Sequence, residues 1–388
     1  MEIFILTAMA LVLLGLAYLI FEGGRRLRPG TAAVVSRLTE WPRLAVLVPV
    51  TGAAAGLAGR LETLLSQDYP SYQVVFTTRD AEDPATAVIL ALITRHPGAR
   101  HVVAGPARSC GQKNRNLLAA VQLVGQAPEI LVFCDGNQSA PPDWLKELVG
   151  PIVAGQAQVT SGYHQLIAPD PGVAALGRAI SVLALYLTKG FRRLNQPWGG
   201  ATAIRRRLFE DLAVAQVWAE NVVDDVSLAA RLVRAGLPVV LAKGACLDTP
   251  IEGETLAGWR EWLTRQWLYL KFCMPLTWLA AGLAVQVNLA LVLLAAAFLL
   301  LAPLGLTSGS LALAAALFLT GLTGLGLALR SCHPQPGPWG KWLVAYFAAM
   351  GMASWGHLRT LGTMEMRWRG IVYRVGRQGR VVKIVSSQ

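Results

Sequence analysis

Charged side chains are scarce in this sequence. Asp, Glu, Lys and Arg make up 15% of the 388 residues, whereas 54% are apolar, and the mean hydropathy is +0.46. Since soluble domains carry about 25% charged residues, this composition excludes an ordinary soluble protein and indicates an integral membrane protein. The 35 basic residues exceed the 23 acidic ones, giving a net charge of +12. Because long uncharged runs accompany this charge, it favours an anionic bilayer surface over nucleic acid as a partner.

Paired cysteines are also absent. The five cysteines stand singly, at positions 110, 134, 246, 273 and 332, without a C-x-x-C pair or a zinc-type spacing. The pattern therefore indicates neither a disulfide framework nor a structural zinc site. It favours a reduced main body that faces the cytosol.

The N-terminal region lacks charge over the length of a membrane crossing. Residues 3–21 contain no charged side chain, and a helix needs about 20 residues to cross the hydrocarbon core. We interpret residues 1–24 as a transmembrane anchor. A cleaved signal peptide is disfavoured, because Glu2 stands where such peptides carry basic residues and no A-x-A-like site follows.

A second uncharged region lies near the C-terminus. Residues 272–329 contain no Asp, Glu, Lys, Arg or His, and a break that begins at Pro303 predicts a helical hairpin. This hairpin belongs to a predicted C-terminal membrane region, residues 274–358. Its last segment, residues 342–358, either spans the membrane or lies in its plane. The side on which the basic tail, residues 359–388, lies depends on that choice.

Basic residues after the anchor predict its orientation. Arg25, Arg26 and Arg28 follow it directly, and the positive-inside rule places them in the cytosol. We therefore expect an integral multi-pass membrane protein with its main domain on the cytosolic face, at the inner membrane in a bacterium. Residues 171–191 are apolar too, but they contain Arg178, so we interpret them as an interfacial helix.

Strands and helices alternate in the predicted cytosolic domain, residues 25–258. Short β-rich runs at residues 44–50, 74–78 and 130–134 are separated by helical patterns. This order predicts an α/β fold with a mostly parallel, Rossmann-type sheet. Ligands of such sheets bind beyond the carboxyl ends of the strands. Acidic residues follow two of these runs: Asp80, Asp83 and Asp135.

Each acidic residue also has a plain structural explanation. Asp83 and Asp135 follow strands, where an Asp is often a turn former or a helix N-cap, and Asp224 and Asp225 precede a helical pattern that they can cap. Their combination with Lys113 is more informative. A nucleotide-sugar site needs a carboxylate for a divalent cation, a lysine for the diphosphate and a separate carboxylate as base.

Four phrases of the sequence carry a family resemblance. They are Leu-Ser-Gln-Asp-Tyr-Pro at residues 65–70, Arg-Asp-Ala-Glu-Asp-Pro-Ala at 79–85, Val-Phe-Cys-Asp-Gly-Asn at 132–137 and Val-Asp-Asp-Val-Ser-Leu at 223–228. These phrases resemble the Q-x-Y-P, D-x-x-D-P-A, second-acid and third-acid motifs of the membrane glycosyltransferases of families 2 and 21. The likeness is greatest to ceramide glucosyltransferases and their bacterial relatives, which act on hopanoids and other lipids. It covers roughly residues 40–275.

The resemblance implies a GT-A-like fold and a role for each matching residue. Asp225 would be the catalytic base. Asp80 and Asp83 would contact the nucleotide sugar, and Lys113 would face its diphosphate. Asp135 would bind the diphosphate and a metal ion, Mg²⁺ or Mn²⁺. The implied partners are a nucleotide sugar, expected to carry UDP, a lipid acceptor and the membrane.

Two elements depart from the family pattern. Asn137 replaces the second acid of the D-x-D motif, so that the protein's share of metal binding would rest on Asp135 alone. The (Q/R)xxRW motif is altered within the predicted interfacial helix, residues 259–273. Aligning it on Trp267 puts Gln266 in the place of Arg.

The other alignment of this motif begins at Arg265 and puts Leu268 and Tyr269 in the places of Arg and Trp. We expect this helix to contribute Arg265, Gln266 and Trp267 to the nucleotide-sugar site, with substituted chemistry. The alternative is a belt of Trp and Arg side chains at the membrane surface.

The predicted function is inverting transfer of a sugar, glucose or a related hexose, from a nucleotide sugar to a membrane lipid hydroxyl such as that of ceramide. One displacement inverts the anomeric centre, so a single base suffices. A processive polysaccharide synthase is an alternative, disfavoured because the membrane segments offer few polar residues to line a channel. An inactive membrane scaffold that kept the fold is another. The sequence leaves open the sugar, the lipid and the oligomeric state.

Overall fold

The chain begins with one long apolar helix. The computed structural model describes residues 2–28, 38–169 and 171–387, so residues 29–37 and 170 of the predicted 25–258 domain lie outside the described residues. The helix consists of α1 (Glu2–Tyr18), a π-helical turn (Leu19–Gly23) and α2 (Gly24–Leu27). Together these segments are long and apolar enough to cross a membrane. Side chains such as Phe4 and Leu14 point outward from it.

A seven-stranded sheet organises the α/β body. Its strands are β1 (Leu44–Pro49), β2 (Tyr72–Thr78), β3 (Ala99–Val103), β4 (Ile130–Cys134), β5 (Val159–Ile167), β6 (Ala201–Arg205) and β7 (Val240–Pro250). Their spatial order is β3-β2-β1-β4-β6-β5-β7, and β6 runs antiparallel to both of its neighbours while the other pairs are parallel. The predicted mostly parallel α/β fold is therefore confirmed.

Helices cover both faces of this sheet. They are α3 (Leu57–Leu65), α4 (Pro84–Ile93), α5 (Gln112–Val124), α6 (Trp144–Val153), α7 (Val173–Lys189), α8 (Arg206–Asp211), α9 (Val214–Glu220) and α10 (Asp225–Arg234). Leu44, Val46 and Val48 of β1 pack with α3, α4 and α6, whereas Ala45 and Leu47 pack with α5 and α8 to α10. Because both faces are buried, the strand reads as a continuous apolar run.

Helix α7 corresponds to the segment interpreted as interfacial. It connects β5 to β6, and these two strands pair with each other, so the chain before α7 and the chain after it belong to the same sheet. The Arg178 side chain pairs with Glu254 and stacks over the ring of Trp262, 5.1 Å from its centroid. The charge that disfavoured a membrane crossing thus has its partner within the protein.

Four helices follow the sheet: α11 (Leu256–Cys273), α12 (Pro275–Leu301), α13 (Gly309–Arg330) and α14 (Trp339–Thr360). Pro275–Leu304 and Gly309–Arg330 are each long and apolar enough to span a membrane, and with Glu2–Leu27 they are three such helices in the described part of the chain. The turn between α12 and α13 uses Gly305 at φ +68° and Ser308, whose hydroxyl caps α13. This is the predicted hairpin.

Both ends of α14 lie against the α/β body and α11. Gly337, just before it, packs against Leu176 of α7, and Lys271 of α11 donates hydrogen bonds to the carbonyls of Thr360 and Leu361 at its other end. Residues 359–388, expected only as a basic tail, therefore begin beside α11.

A three-stranded antiparallel sheet forms within this tail. It consists of β8 (Glu365–Trp368), β9 (Ile371–Val375) and β10 (Val381–Ser387). Met366 and Tyr373 are buried in an apolar cluster with Leu268 and Phe272 of α11 and Val223 of the α/β body. The C-terminal sheet is thus a packed part of the fold.

Candidate active site

Several chain segments meet at one edge of the seven-stranded sheet. The parallel strands β1, β2 and β4 all end there, and Asp135 follows β4 directly. Since β6 is antiparallel, its first residue, Ala201, pairs with Cys134, and residues 198–200 reach the same edge. Lys113, in the first turn of α5, completes the group.

Lys113 links two carboxylates. Its Nζ lies 2.8 Å from Oδ1 of Asp135 and 3.0 Å from Oδ2 of Asp224, and it donates a hydrogen bond to the carbonyl of Gly199 at 3.4 Å. Burial alone lowers the pKa of this lysine, but the carboxylates of Asp135, Asp224 and Asp225 together raise its pKa well above the ordinary value. Lys113 therefore remains a cation.

Asp225, at the N-terminus of α10, is held by backbone donors. Gly199 N donates to its Oδ2 at 3.0 Å, and Val226 N donates to its Oδ1 at 2.7 Å. Burial and the neighbouring Asp224 raise the pKa of Asp225 to about 6, against the opposing effects of Lys113 and the two amides. A carboxylate with a pKa close to neutrality is well matched to accepting a proton.

Asp83 has the structural role of a helix N-cap. Its Oδ1 accepts hydrogen bonds from Ala85 N in the first turn of α4, at 2.9 Å, and from Gly52 N, at 2.8 Å. Its Oδ2 accepts one from the Thr51 hydroxyl at 2.7 Å. The carboxylate thus fastens the loop after β1 to the start of α4. Its role toward a nucleotide remains a prediction.

The Asp80 side chain lies apart from the Lys113 group. It is 47% exposed, and its recorded ion pair is with the neighbouring Arg79 at 3.8 Å. No hydrogen bond or ion pair among the described residues connects it with Lys113 or Asp135.

Helix α11 presents two different faces. Arg265 and Tyr269, four residues apart, share one face. Tyr269 packs against the apolar cluster that contains Val223, the residue directly before the aspartate pair, so this face lies beside the acidic group. Burial raises the pKa of Tyr269 to about 12, with Arg265 lowering it and the carboxylates of Asp225 and Asp224 raising it further. The site predicted from sequence did not include Tyr269, although one alignment of the (Q/R)xxRW motif reached its position.

The other two predicted residues of α11 are placed differently. Trp267 is buried with Trp259 and Leu263 toward α12 and α14, and its ring centroid lies 5.1 Å from that of His357. The Gln266 amide bonds back to the carbonyl of Trp262 at 3.3 Å within the same helix. The structure thus brings Arg265 toward the acidic group, and it does not bring Gln266 or Trp267 there.

Three further residues join the group that were absent from the predicted site. Asp224 is the second partner of Lys113, and its place beside Asp225 in sequence was its signal. Gly199 bonds both Asp225 and Lys113. Arg369 reaches the edge from the turn between β8 and β9, where Nη1 donates to the carbonyl of Thr51 at 3.2 Å. No sequence motif marks either of these two.

The carboxylates offer limited ligands to a metal ion. No group of three or more His, Cys, Asp and Glu side chains in metal-binding geometry occurs among the described residues. The side chain of Asp135 is 32% exposed, and its Oδ1 forms an ion pair with Lys113. This donor set fits an ion such as Mg²⁺, which proteins commonly hold through one or two carboxylates while substrate phosphates and water supply the other ligands.

The fold and this site define a glycosyltransferase with a GT-A-like architecture. The chain belongs to glycosyl transferase family 21, because the model of that family matches residues 5–381. The enzyme class and the family predicted from sequence are confirmed.

One of the similar solved structures shares the fold over nearly its whole length. A mannosyltransferase from Pyrobaculum calidifontis, solved with GDP-Man and Mn²⁺, is 20% identical with a TM-score of 0.54, over 92% of this chain and 99% of that one. Glucosyl-3-phosphoglycerate synthase from Mycobacterium tuberculosis, solved with Mn²⁺ and UDP-glucose, is 18% identical with a TM-score of 0.40, over 63% of this chain and 83% of that one.

Proposed function

We propose that this glycosyltransferase moves a hexose, glucose or a relative, from a nucleotide sugar to the hydroxyl of a membrane lipid with inversion at the anomeric carbon. The observation that carries the proposal is the convergence of Lys113, Asp135 and Asp225 at the sheet edge, beside an apolar cluster continuous with the membrane-type helices. UDP is the expected carrier, and ceramide, a hopanoid or another lipid alcohol is the expected acceptor.

The donor side of the site is formed by Lys113 and Asp135. Lys113 offsets negative charge on the leaving diphosphate, and Asp135 would hold Mg²⁺ or Mn²⁺ through its carboxylate. When bound, such an ion supplies further positive charge to the diphosphate oxygens. The mannosyltransferase that shares the fold was solved with GDP-Man and Mn²⁺, which supports a donor and an ion of these classes here.

The acceptor side follows from an apolar cluster. It extends from Leu325 and Leu329 of α13 through α7 to Tyr163 of β5, and Trp198 packs against it. Trp198 directly precedes Gly199, whose amide holds Asp225. Continuous apolar packing therefore joins the carboxylate to the helices beside which a lipid acceptor would lie.

The reaction needs one proton acceptor. Asp225 takes the proton from the acceptor hydroxyl while that oxygen bonds to the anomeric carbon, and the bond from this carbon to the diphosphate oxygen breaks. The Gly199 and Val226 amides keep the carboxylate oriented. Asp224, with its 6% exposed side chain, holds Lys113 in place.

We further propose that the α/β body faces the cytosol, where the arginines after the anchor lie under the positive-inside rule. We place α14 in the plane of the membrane, since its first end contacts α7 of the α/β body and its other end contacts α11, the predicted interfacial helix. The tail that follows it would then be cytosolic as well.

A transfer assay tests the proposal. Purified protein in detergent is given radiolabelled nucleotide sugars and lipid alcohols with Mn²⁺ or Mg²⁺, and the labelled lipid is measured. We expect a product that disappears with a chelator and with Asp135→Ala, while Asp211→Ala, which removes an exposed carboxylate of α8, retains activity. A labelled lipid formed equally with chelator and by Asp135→Ala would contradict the metal role. If donors bind but no lipid is labelled across a broad acceptor panel, lipid transfer is wrong.

A further inference from the structure

We propose that Arg369, at the tip of the β8–β9 hairpin, is a donor-binding residue that contacts the diphosphate of the nucleotide sugar. This role rests on the proposed function, because only a nucleotide-bearing donor would bring a diphosphate to this edge. The C-terminal sheet would then be part of the catalytic apparatus.

The backbone of the turn is unusual for the residue it contains. Trp368 pairs with Ile371, so that the connection consists of Arg369 and Gly370 alone, with φ angles of +48° and +77°. Two positive φ angles identify a type I′ turn, in which Asn, Asp or Gly ordinarily takes the first position. An arginine carries a steric cost there, and outliers of this kind concentrate at functional sites.

The hairpin is fastened to the segment that contains Lys113. Gln112 N, in the residue before Lys113, donates a hydrogen bond to the hydroxyl of Tyr373 at 3.1 Å. Tyr373 lies on β9 and is fully buried. The position of the hairpin is therefore coupled to the start of α5.

A second attachment joins the C-terminal sheet to the segment before the aspartate pair. Val222 N donates to the carbonyl of Gly379 at 2.9 Å, and the Asn221 amide donates to the carbonyl of Gln378 at 2.7 Å. These bonds lie just ahead of Asp224. Because the sheet is held at both segments, the tip at Arg369 has a fixed place at the edge of the site.

The guanidinium of Arg369 lies among the site's charges. Nη1 bonds the carbonyl of Thr51, whose hydroxyl bonds Asp83. Partial desolvation lowers the pKa of Arg369, and among the nearby charges Asp83 and Asp135 raise it while Arg265 lowers it. Arg369 as a residue nevertheless remains exposed, and a guanidinium has five N–H donors, so others remain beside the one that bonds Thr51.

The charge balance explains why arginines are needed here. Lys113 already pairs with Asp135 and Asp224, so it is shared between two carboxylates before any substrate arrives. Arg265 and Arg369 approach the same edge, and neither forms an ion pair with a carboxylate within the described ranges 2–28, 38–169 and 171–387. Two cationic side chains that approach one edge without an ion pair of their own fit a diphosphate, which a planar guanidinium can bind through two parallel hydrogen bonds.

Calorimetric titration of the full-length protein in detergent with Mn²⁺ tests the assignment. Wild type, Arg369→Gln, Arg369→Lys and the control Arg374→Gln are titrated with UDP, GDP and the nucleosides uridine and guanosine. Arg374 is an exposed arginine of β9 on the face opposite Tyr373, so its variant removes the same charge from the same sheet. Thermal unfolding of each variant checks the fold.

We expect Arg369→Gln to weaken binding of the preferred nucleoside diphosphate by about 10- to 100-fold, the range for a lost charge-assisted hydrogen bond, with nucleoside binding unchanged. Arg369→Lys should fall between Arg369→Gln and wild type, and Arg374→Gln should match wild type. Equal diphosphate affinity of Arg369→Gln and wild type, or equal losses in Arg369→Gln and Arg374→Gln, would overturn the Arg369 role alone. Wild-type protein that binds neither diphosphate would overturn the proposed function as well.

Discussion

Gly199 contacts two of the groups that the proposed reaction uses, Asp225 and Lys113. Its amide donates to Oδ2 of Asp225 at 3.0 Å, and its carbonyl accepts from Nζ of Lys113 at 3.4 Å. A Cβ atom at this position would lie 2.5 Å from Lys113 Nζ and 2.6 Å from Oδ2 of Asp224. The absence of a side chain at residue 199 therefore permits the lysine and the carboxylates to assemble.

Gly199→Ala should reduce transfer by about 100-fold, because the methyl group displaces Lys113 or Asp224 and small misplacements of reacting groups have effects of this size. Steady-state kinetics measure the loss. Gly59→Ala in α3 is the control, since nothing lies within 4 Å of a Cβ there; it should retain activity. If both variants work at the wild-type rate, the loop does not set the geometry of the site.

Asp225→Asn should lower kcat by about 10²- to 10⁴-fold, the usual contribution of a general base. Donor affinity should change little, because Lys113, Asp135 and the arginines remain. Rapid-quench product analysis and donor titration measure the two effects separately. Asp211→Asn removes an exposed carboxylate that is 64% solvent-accessible and should leave both unchanged. Transfer by Asp225→Asn at the wild-type rate would exclude this residue as the base.

The pH profile should report the carboxyl group of Asp225. Its pKa is raised to about 6, and only the deprotonated form accepts a proton, so kcat/KM should fall by about tenfold per unit as the pH drops below that value. Asp224→Asn removes a neighbouring negative charge, which lowers the pKa of Asp225 and moves this limb to lower pH. The control Asp211→Asn should leave the acidic limb of the profile in place. If Asp224→Asn also leaves it in place, the assignment of this limb to Asp225 is wrong.

Substitutions of two adjacent residues on different faces of α11 should affect the donor KM differently. Arg265→Gln should raise the donor KM by about tenfold or more, because it removes a cation beside the acidic group. Gln266→Ala should leave the donor KM unchanged, since its side chain bonds within the helix. Initial rates over a range of donor concentrations distinguish the two. Equal effects of both changes would show that this face of α11 does not contact the donor.

Local patterns in the sequence were sufficient for the parallel strands β1, β2 and β4 and for part of the site. Strands β1 and β4 are recognisable as apolar runs, because a strand buried on both faces needs continuous apolar residues. Helices α12 and α13 are recognisable by their uncharged length, because a helix in contact with lipid needs the same. Strand ends and helix N-termini, which are readable from nearby residues, marked Asp135 and Asp225 as candidates, and the family resemblance then implied their roles.

Other residues of the site are not marked by any pattern in the neighbouring sequence. Gly199 precedes the antiparallel strand β6, and the pairing of Ala201 with Cys134 that brings it to the edge is a property of the sheet order. Gln266 and Trp267 were assigned to the site from a motif, whereas the rotation of α11 against α12 and α14 turns Trp267 toward His357 instead.

The sequence by itself determined the class of protein: apolar helices at both ends, an α/β body between them and the acidic residues of a glycosyltransferase. Tertiary structure alone decided that Lys113 is shared between Asp135 and Asp224, and that the C-terminal tail folds into a sheet carrying Arg369 to the site. The physical reason is the separation along the chain between the residues that interact. Periodicity and capping depend on residues within a few positions, whereas electrostatic partners are chosen by packing between segments that are far apart in the chain.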